Sequence, residues 1–271
     1  MPVPSVVVSG GFDDLKSRGL RFLEEAAKLG KLTVLLWPDE TLLTQTGRPP
    51  KFPLVERLYF LEAVRYVSRV IPLSELANPN ELPADLPVDI WADVAADNNA
   101  AREQFCRAGR ISYRVFTADE LKGFPEPPPM PSAPGRKKVI ATGCYDWFHS
   151  GHVRFTEEVS AHGDLYVIVG HDANIRLLKG EGHPLLSQEE RRYVVGSIKF
   201  VKQALISSGD GWLDAEPEIK KLQPDVYAVN EDGDKGGKRE YCQKLSIEYL
   251  VLQRTPAPGL QKRSSTDLRG F

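Results

Sequence analysis

Ten consecutive residues, Gly143 to His152, bring together residue types that could bind an anion. Their sequence is Gly-Cys-Tyr-Asp-Trp-Phe-His-Ser-Gly-His. His149 and His152 lie three residues apart, on one face of a first helical turn, and Gly151 between them removes side-chain bulk. The N–H groups and the positive dipole end of a helix start also favour negative charge at this point. We therefore predict that this histidine stretch (residues 143–152) lets a polyphosphate approach closely.

The segments on either side predict a strand before the histidine stretch and a helix after it. Residues 139–141 are a short apolar run, typical of a buried parallel strand. The helix that follows should turn Val153, Phe155 and Val159 inward. A metal site is the alternative for such a histidine pair. It would need a third ligand at close spacing, and no cysteine or histidine cluster supplies one.

Composition sets the broad class of the protein. Its 271 residues are 41% hydrophobic and 27% charged, with a formal net charge of −2, as is ordinary for soluble globular proteins. This charge does not favour nucleic-acid binding, and no apolar run approaches the ~18 residues of a membrane span. The N-terminus lacks a signal peptide's charged start and apolar core. Because the three cysteines form no CxxC pair, the sequence predicts a reduced, cytoplasmic protein.

The chain also contains an internal repeat. Phe12-Asp13 matches Tyr145-Asp146 at an offset of 133, and Glu56-Arg57 matches Glu190-Arg191 at an offset of 134. An offset that drifts so little indicates short loop insertions within a tandem duplication. In each copy, alternating strands and helices predict an α/β fold with a Rossmann-like, doubly wound parallel sheet.

In the second copy the pattern predicts strands over residues 164–170, 225–229 and 247–252, and an amphipathic helix over residues 188–201. Ser187 is the expected N-cap of that helix, with Glu at the capping-box spacing. Ligands of doubly wound sheets bind outside the carboxyl ends of the strands. The histidine stretch is expected to lie at that edge.

The sequence predicts two domains joined by a linker. Residues 124–136 are rich in proline, which opposes helix and central strand and favours an extended path. We therefore predict a first domain over residues 1–123, a linker over residues 124–136 and a second domain over residues 137–271.

The histidine stretch resembles the HxGH signature of the nucleotidylyltransferase superfamily in its GxFDxxHxGH form, with tyrosine in place of phenylalanine. Its placement between a strand and a helix makes the resemblance specific. Further segments resemble the cytidylyltransferases that act on glycerol phosphate and ethanolamine phosphate. They are Lys179-Gly180 of a mobile lysine loop, Arg191 of an E-x-R helix, and the segment from Arg254-Thr255 to Ser264-Ser265-Thr266 that closes over the triphosphate.

The resemblance implies a reaction in which a substrate phosphate attacks the α-phosphorus of a nucleoside triphosphate and releases pyrophosphate. A phosphate monoester is already anionic near neutral pH, its second pKa being about 6, so no general base is needed. Catalysis would rest on positioning and charge stabilisation. Catalytic roles are implied for His149, His152, Lys179 and Arg254. Nucleotide contacts are implied for Gly143, Cys144, Tyr145, Asp146, Gly151, Arg191, Thr255, Ser264, Ser265 and Thr266. Asp146 is also the candidate for placing Mg²⁺.

Simpler explanations remain open for some of these residues. Lys179 is by composition a solvated loop residue. Arg191 could be an exposed helix residue, although no carboxylate lies one turn away to pair with it. The Ser264–Asp267 run could be a helix N-cap.

The first copy lacks this chemistry, because Lys16 and Gly19 stand opposite the two histidines. We expect a degenerate, non-catalytic domain that forms an internal pseudo-dimer with the second; a homo-oligomer is also open. The expected activity is cytidylyl transfer from CTP to a small phosphorylated acceptor. The alternatives are an adenylyltransferase using ATP, as in the heptose-phosphate and flavin branches of the superfamily, and a non-catalytic nucleotide-binding or scaffold protein.

Overall fold

The computed structural model describes residues 2–75 and 78–268, apart from the side chains of Thr266 and Asp267. The chain divides into two compact units, Met1–Gly123 and Phe124–Phe271. In the described part of the chain, every helix is too short or too polar to cross a lipid bilayer.

The described residues of the first unit form a parallel sheet with the strand order β3-β2-β1-β4-β5. Its elements are β1 (Ser5–Gly10), α1 (Ser17–Ala27), β2 (Lys31–Leu36), α2 (Asp39–Thr46), α3 (Leu54–Glu62), β3 (Arg69–Pro72), β4 (Ile90–Val94), α4 (Ala100–Gly109) and β5 (Ser112–Phe116).

The described residues of the second unit form a parallel sheet with the order β10-β9-β6-β7-β8. Its elements are β6 (Lys138–Gly143), α5 (Ser150–Ser160), β7 (Asp164–Val169), α6 (Asp172–Lys179), α7 (Gln188–Gly196), β8 (Val201–Ile206), α8 (Glu216–Leu222), β9 (Val226–Asn230), α9 (Lys238–Lys244), β10 (Glu248–Leu252) and α10 (Ser265–Leu268). Numbered from its own first strand, each unit has the strand order 3-2-1-4-5, so the two sheets have the same topology. The prediction of two tandem doubly wound parallel sheets is confirmed.

The core explains why the histidine stretch lies at the sheet edge. Residues 139–141 of β6 are fully buried, and Val153, Phe155 and Val159 of α5 face inward, as predicted. Burying each large apolar side chain contributes roughly 1.5–3 kcal/mol. Since β6 pairs with β7 on one side and β9 on the other, the turn after β6 opens at the point where the strand order reverses.

The helix predicted over residues 188–201 is shorter in the structure. Ser187 caps its start, as predicted, with the side-chain oxygen accepting from the Glu190 N–H. The helix ends at Gly196, and a turn leads into β8 at Val201. The apolar spacing continues because Ile198 and Val201 are still buried, so periodicity alone could not show where the helix ends.

The proline-rich residues 124–136 belong to the second unit. The Phe124 ring lies 6.0 Å from the Tyr193 ring, between centroids, and the Met130 N–H donates to the Lys202 carbonyl of β8 at 3.0 Å. The segment predicted as a linker thus runs along one edge of the second sheet.

Candidate active site

The two histidines of the histidine stretch cap the start of α5. His149 is the N-cap, and its Nδ1 accepts from the Gly151 N–H at 3.1 Å. The His152 Nδ1 accepts from the His149 N–H at 3.3 Å. A neutral imidazole that accepts at Nδ1 carries its proton at Nε2. The helix start therefore fixes both rings as Nε2–H donors, with ring centroids 4.1 Å apart.

Both imidazoles are held in the neutral form. Burial lowers the pKa of His149 to about 4, and the Arg254 and Arg263 guanidinium groups add to this effect. Burial also lowers the pKa of His152 well below its ordinary value, with further contributions from His149, Arg254 and Lys179. His149 is 2% exposed, and its buried Nε2 has no hydrogen-bond partner among the described residues. A buried donor without a partner is costly, so an acceptor atom of a ligand would be favoured here.

Gly151 makes room for an imidazole. A Cβ at this position would lie 2.9 Å from the His149 Cε1 atom, so any side chain would push the ring away. The sequence predicts that Gly151 clears space for a phosphate. In the structure its first effect is to let the His149 ring fold back over the helix start.

The glycine turn before the histidines also lies at the site. Gly143, Cys144 and Tyr145 line the same cleft as the imidazoles. Tyr145 is buried and has a φ of 54°, in the left-handed region, which is uncommon for a bulky residue. A Cβ at Gly143 would lie 2.9 Å from the Tyr145 ring. The turn therefore requires glycine at position 143 to accommodate this aromatic side chain.

An open cleft lies over the two imidazoles. Its far wall comes from the segment after β9. That wall includes Asn230, Asp232 and Lys238, to which the sequence analysis assigns no role. Their position directly after the strand predicted over residues 225–229 is the signal that the sequence offered.

Arg254 borders this cleft, and its guanidinium group donates two hydrogen bonds in the structure. Its Nη1 donates to the Asp232 carboxylate at 2.6 Å, and its Nη2 donates to the Arg263 carbonyl at 3.0 Å. Thr255 lines a smaller neighbouring pocket together with Arg263 and Gly151. The structure thus brings Arg254 and Thr255 to the histidine stretch.

The serine run also meets the histidine stretch. The Ser265 hydroxyl donates to the Trp147 carbonyl at 3.2 Å, and the Leu268 N–H donates to the Ser264 carbonyl at the start of α10. The side chain of Thr266 lies outside the described residues. Lys179 is the exposed last residue of α6. It does not line the cleft in the described structure, although its positive charge helps to lower the pKa of His152.

Asp146 and Arg191 have positions that differ from the expected ones. Asp146 is buried, and its Oδ1 accepts the N–H groups of Leu185 and Leu186 at 2.7 and 3.0 Å. Arg191 is fully buried and donates to the Cys144 carbonyl at 2.7 Å and to the Asp172 carboxylate at 2.6 Å. Both side chains tie loops together. We therefore assign both side chains to the framework of the site, and a contact of either one with a nucleotide or Mg²⁺ stays a prediction.

The first unit supports this assignment, because it makes the equivalent hydrogen bonds but lacks the two histidines. Asp13 accepts from the Lys51 and Phe52 N–H groups. Arg57 donates to the Gly11 carbonyl and the Asp39 carboxylate. A contact retained where the HxGH chemistry is lost has a role in the fold.

The tautomer and pKa of His149 can be measured directly. We expect its NMR signals to keep the Nε2–H pattern down to about pH 5, since burial holds its pKa near 4. Because the folded-state value lies below the ordinary 6.5, the unfolded chain binds the extra proton first. His149 therefore favours the folded state above about pH 6.5, and this contribution falls as the pH drops toward 4. The measurement is a histidine-selective NMR titration, with His149→Asn identifying the signal. A midpoint at the ordinary value would contradict the buried, neutral site.

Comparison with known proteins places these residues in a family. Residues 140–270 match the family model described as cytidylyltransferase-like. FAD synthase from Ferroglobus placidus is 38% identical over 120 residues, which are 43% of this chain and 75% of that protein. FAD synthase from Aciduliprofundum boonei is 32% identical over 136 residues, 49% of this chain and 84% of that protein.

A third relative is much longer than the matched region. The bifunctional protein HldE from Campylobacter concisus is 36% identical over 115 residues, which are 42% of this chain but 24% of that protein. The matched residues of the family model contain the histidine stretch, the cleft wall after β9 and Arg254. The chain belongs to the cytidylyltransferase-like family and is a nucleotidyltransferase enzyme.

Proposed function

We propose that the second unit transfers a nucleotidyl group from a nucleoside triphosphate to a small phosphate monoester and releases pyrophosphate. The pair of neutral imidazoles carries this proposal. Both are fixed as Nε2–H donors at the start of α5, and the buried His149 Nε2 has no partner among the described residues. Preorganised donors at a site shielded from water stabilise charge that develops on phosphate oxygens.

In the proposed reaction, an oxygen of the acceptor phosphate attacks the α-phosphorus. The bond from the α-phosphorus to the bridging oxygen breaks, and pyrophosphate leaves with the electron pair. No proton has to move, because a phosphate monoester is already an anionic nucleophile near neutral pH. This agrees with histidines of lowered pKa, which are donors and not bases at that pH.

Arg254 would bind the triphosphate by exchanging partners. Its present partner, Asp232, is 54% exposed at the side chain, and an ion pair of this kind contributes only about 0–1 kcal/mol. A triphosphate offers several oxygens to the same guanidinium in bidentate geometry. We therefore infer that the nucleotide displaces Asp232 from Arg254.

Mg²⁺ enters only as a partner of the nucleotide. Among the described residues, no group of three or more histidine, cysteine or acidic side chains could hold a metal ion. The Asp146 Oδ1 already accepts two backbone N–H groups. A contact between Mg²⁺ and Asp146 stays a prediction, and none of the steps above depends on it.

The first unit is proposed to be non-catalytic. Lys16 occupies the N-cap of α1 without a side-chain capping bond, where His149 caps α5. Its ammonium group lies 3.1 Å from the Asp14 carboxylate, which also contacts Lys51. A site without the two imidazoles lacks the donors on which the proposed reaction rests.

The donor nucleotide is the next prediction. The resemblance of the sequence to cytidylyltransferases favours CTP. Two relatives named FAD synthase, which the chain matches over at least 75% of their length, instead favour ATP, because FAD contains an adenylyl group. We propose ATP as the donor and expect it to raise the melting temperature more than CTP, GTP or UTP do, since the matched ligand binds only the folded state. Pyrophosphate release from each triphosphate with a panel of phosphate monoesters gives the second readout.

The preference should be strong, because a pocket that hydrogen-bonds one base leaves buried groups unpaired with another. A larger shift and faster release with CTP would assign cytidylyl transfer and reject the ATP proposal. If no triphosphate gave pyrophosphate with any acceptor, the non-catalytic alternative would be favoured.

A further inference from the structure

Besides the His149 Nε2, the cleft has a second buried polar atom without a partner. The Oδ1 atom of Asn230 is buried and accepts no hydrogen bond from the described residues. Asn230 is the last residue of β9 and lines the same cleft as His149 and His152. A buried acceptor without a donor costs free energy. Among the described residues, the cleft therefore has an unpartnered donor, which suits a phosphate oxygen, and an unpartnered acceptor, which suits an O–H or N–H group.

The local structure does not use the Asn230 side chain. Asparagine is a favoured N-cap of helices, and Asn230 directly precedes the 3₁₀ turn Glu231–Gly233, but its side chain makes no capping hydrogen bond. The pairing of β9 with β10 fixes its backbone opposite Leu252. The fold thus holds this amide at the cleft and gives its oxygen no donor from the described residues.

The first unit shows that the sheet does not require an amide here. Its strand β4 (Ile90–Val94) is the counterpart of β9 (Val226–Asn230), and both strands have five residues. Val94 therefore stands at the position equivalent to Asn230. An apolar side chain is sufficient there for the strand to form. The amide occurs in the unit that has the two histidines, so we attribute it to the site and not to the sheet.

Asn230 lies where two recesses of the site meet. The cleft over the imidazoles and the smaller pocket beside Thr255 share Asn230, Gly151, Phe155 and Arg254. In the proposed complex, the phosphates of the donor lie at the imidazoles and at Arg254. The part of a nucleoside triphosphate that adjoins its phosphates is the ribose, whose free hydroxyl groups are hydrogen-bond donors. The ribose is therefore the part of the donor that would lie nearest the Asn230 amide.

We propose that Asn230 accepts a hydrogen bond from a ribose hydroxyl of the donor, so that the second unit selects ribonucleotides over their deoxy forms. This inference rests on the proposed function and adds to it a specificity-determining residue. A site with a buried acceptor rejects an analogue that lacks the matching hydroxyl, because the acceptor then stays unpaired. The 2′- and 3′-deoxy forms of the donor show which hydroxyl is bound.

The test measures nucleotide binding to the full chain without an acceptor substrate, so that it does not depend on turnover. ATP is expected to bind about tenfold more tightly than 2′-deoxy-ATP or 3′-deoxy-ATP, whichever lacks the bound hydroxyl. In Asn230→Leu this difference should disappear. CTP and its two deoxy forms are measured in parallel, so the outcome does not depend on which base the site prefers. Titration calorimetry gives the Kd values.

Two further variants separate the hydrogen bond from a general disturbance of the cleft. Asn230→Asp keeps an acceptor and should keep the preference for ribose, while its negative charge weakens binding of every triphosphate. Thr142→Val is the matched control, because Thr142 lines the same cleft but its hydroxyl already has the Tyr227 hydroxyl as a partner at 2.7 Å. It should leave the preference unchanged.

The nucleotide-free protein gives an independent readout. Asn230→Leu should keep or raise its melting temperature, because an apolar side chain of similar size replaces a polar group that has no partner. A clear fall would mean that the amide supports the fold, and it would overturn the proposal.

The proposal is also overturned if Asn230→Leu retains the full preference for ribose, or if the unaltered protein binds both deoxy forms as tightly as the ribonucleotide. An effect of Asn230→Leu on the KM for the acceptor alone would overturn it as well. Ribose-dependent binding without pyrophosphate release would reject the proposed reaction and keep the role of Asn230. Pyrophosphate release that does not depend on the ribose would do the reverse, and absence of binding by either triphosphate would reject both.

Discussion

His149→Ala and His152→Ala are each expected to lower kcat by about 100- to 1,000-fold, the usual cost of removing a preorganised donor from a charge-stabilising site. Each change deletes an Nε2–H group that the start of α5 holds toward the cleft. Lys16→Ala, at the equivalent position of the first unit, should leave kcat unchanged. The measurement is the steady-state rate of pyrophosphate release, with single-turnover rates separating chemistry from product release.

A capping effect has to be separated from catalysis. His149 is also the N-cap of α5, and losing a cap costs about 1 kcal/mol of stability. His149→Asn is the control, because asparagine is a favourable N-cap but lacks the imidazole. We expect it to keep the melting temperature and lose the activity. Loss of activity in a folded Lys16→Ala protein would show that the first unit takes part in catalysis.

Arg191→Met is expected to destabilise the second unit by about 3 kcal/mol or more, as the loss of one member of a buried charged network does. The Arg191 side chain is fully buried and joins α7 to the histidine stretch and to α6. Arg191→Lys should not rescue the stability, because an ammonium group cannot replace the fork of a guanidinium. Hydrogen exchange measured peptide by peptide, without nucleotide, would locate the change in residues 124–271.

Arg57→Met is the matched variant in the first unit, where the same contacts recur. It should loosen residues 1–123 and leave the second unit unaffected. If Arg191 instead binds the nucleotide, Arg191→Met would raise the KM for the donor. Hydrogen exchange measured without nucleotide would then stay the same.

Much of the fold follows from local sequence patterns. Strands such as residues 139–141 are continuous apolar runs, and α5 has a clear buried face, so both could be predicted from periodicity. The internal repeat then implied that both units share one topology. The end of α7 could not be predicted, because the buried residues after Gly196 continue the helical spacing through a turn.

The site was predictable where its residues are close in sequence and not where they are distant. His149 and His152 are three residues apart and cap one helix. By contrast, Arg191 meets Cys144 across 47 positions, and Asp146 meets Leu185 across 39. No periodicity relates such positions. One signal was present, however: Asp13 and Arg57 persist in the first copy, which has lost its histidines, and that retention indicates a role in folding.

The loops near the cleft show the same limit. Asp232 contacts Arg254 across 22 positions, and the Trp212 ring packs on Gly236 and Gly237, far along the chain from it. These contacts depend on how the loops after β8, β9 and β10 converge in space. The choice of base likewise rests on a few hydrogen bonds, which residue types alone do not specify.

The proline-rich segment has a consequence for how the second unit avoids self-association. β8 is an outer strand of its sheet, and an outer strand with open N–H and C=O groups is a template for pairing with another chain. Residues 124–136 cover that strand and bond to it through Met130. Proline has no N–H group, so the covering segment is itself a poor template. A fragment of the enzyme that starts at residue 137 would expose β8 to cross-strand aggregation, whereas one that starts at residue 124 would keep this edge protected.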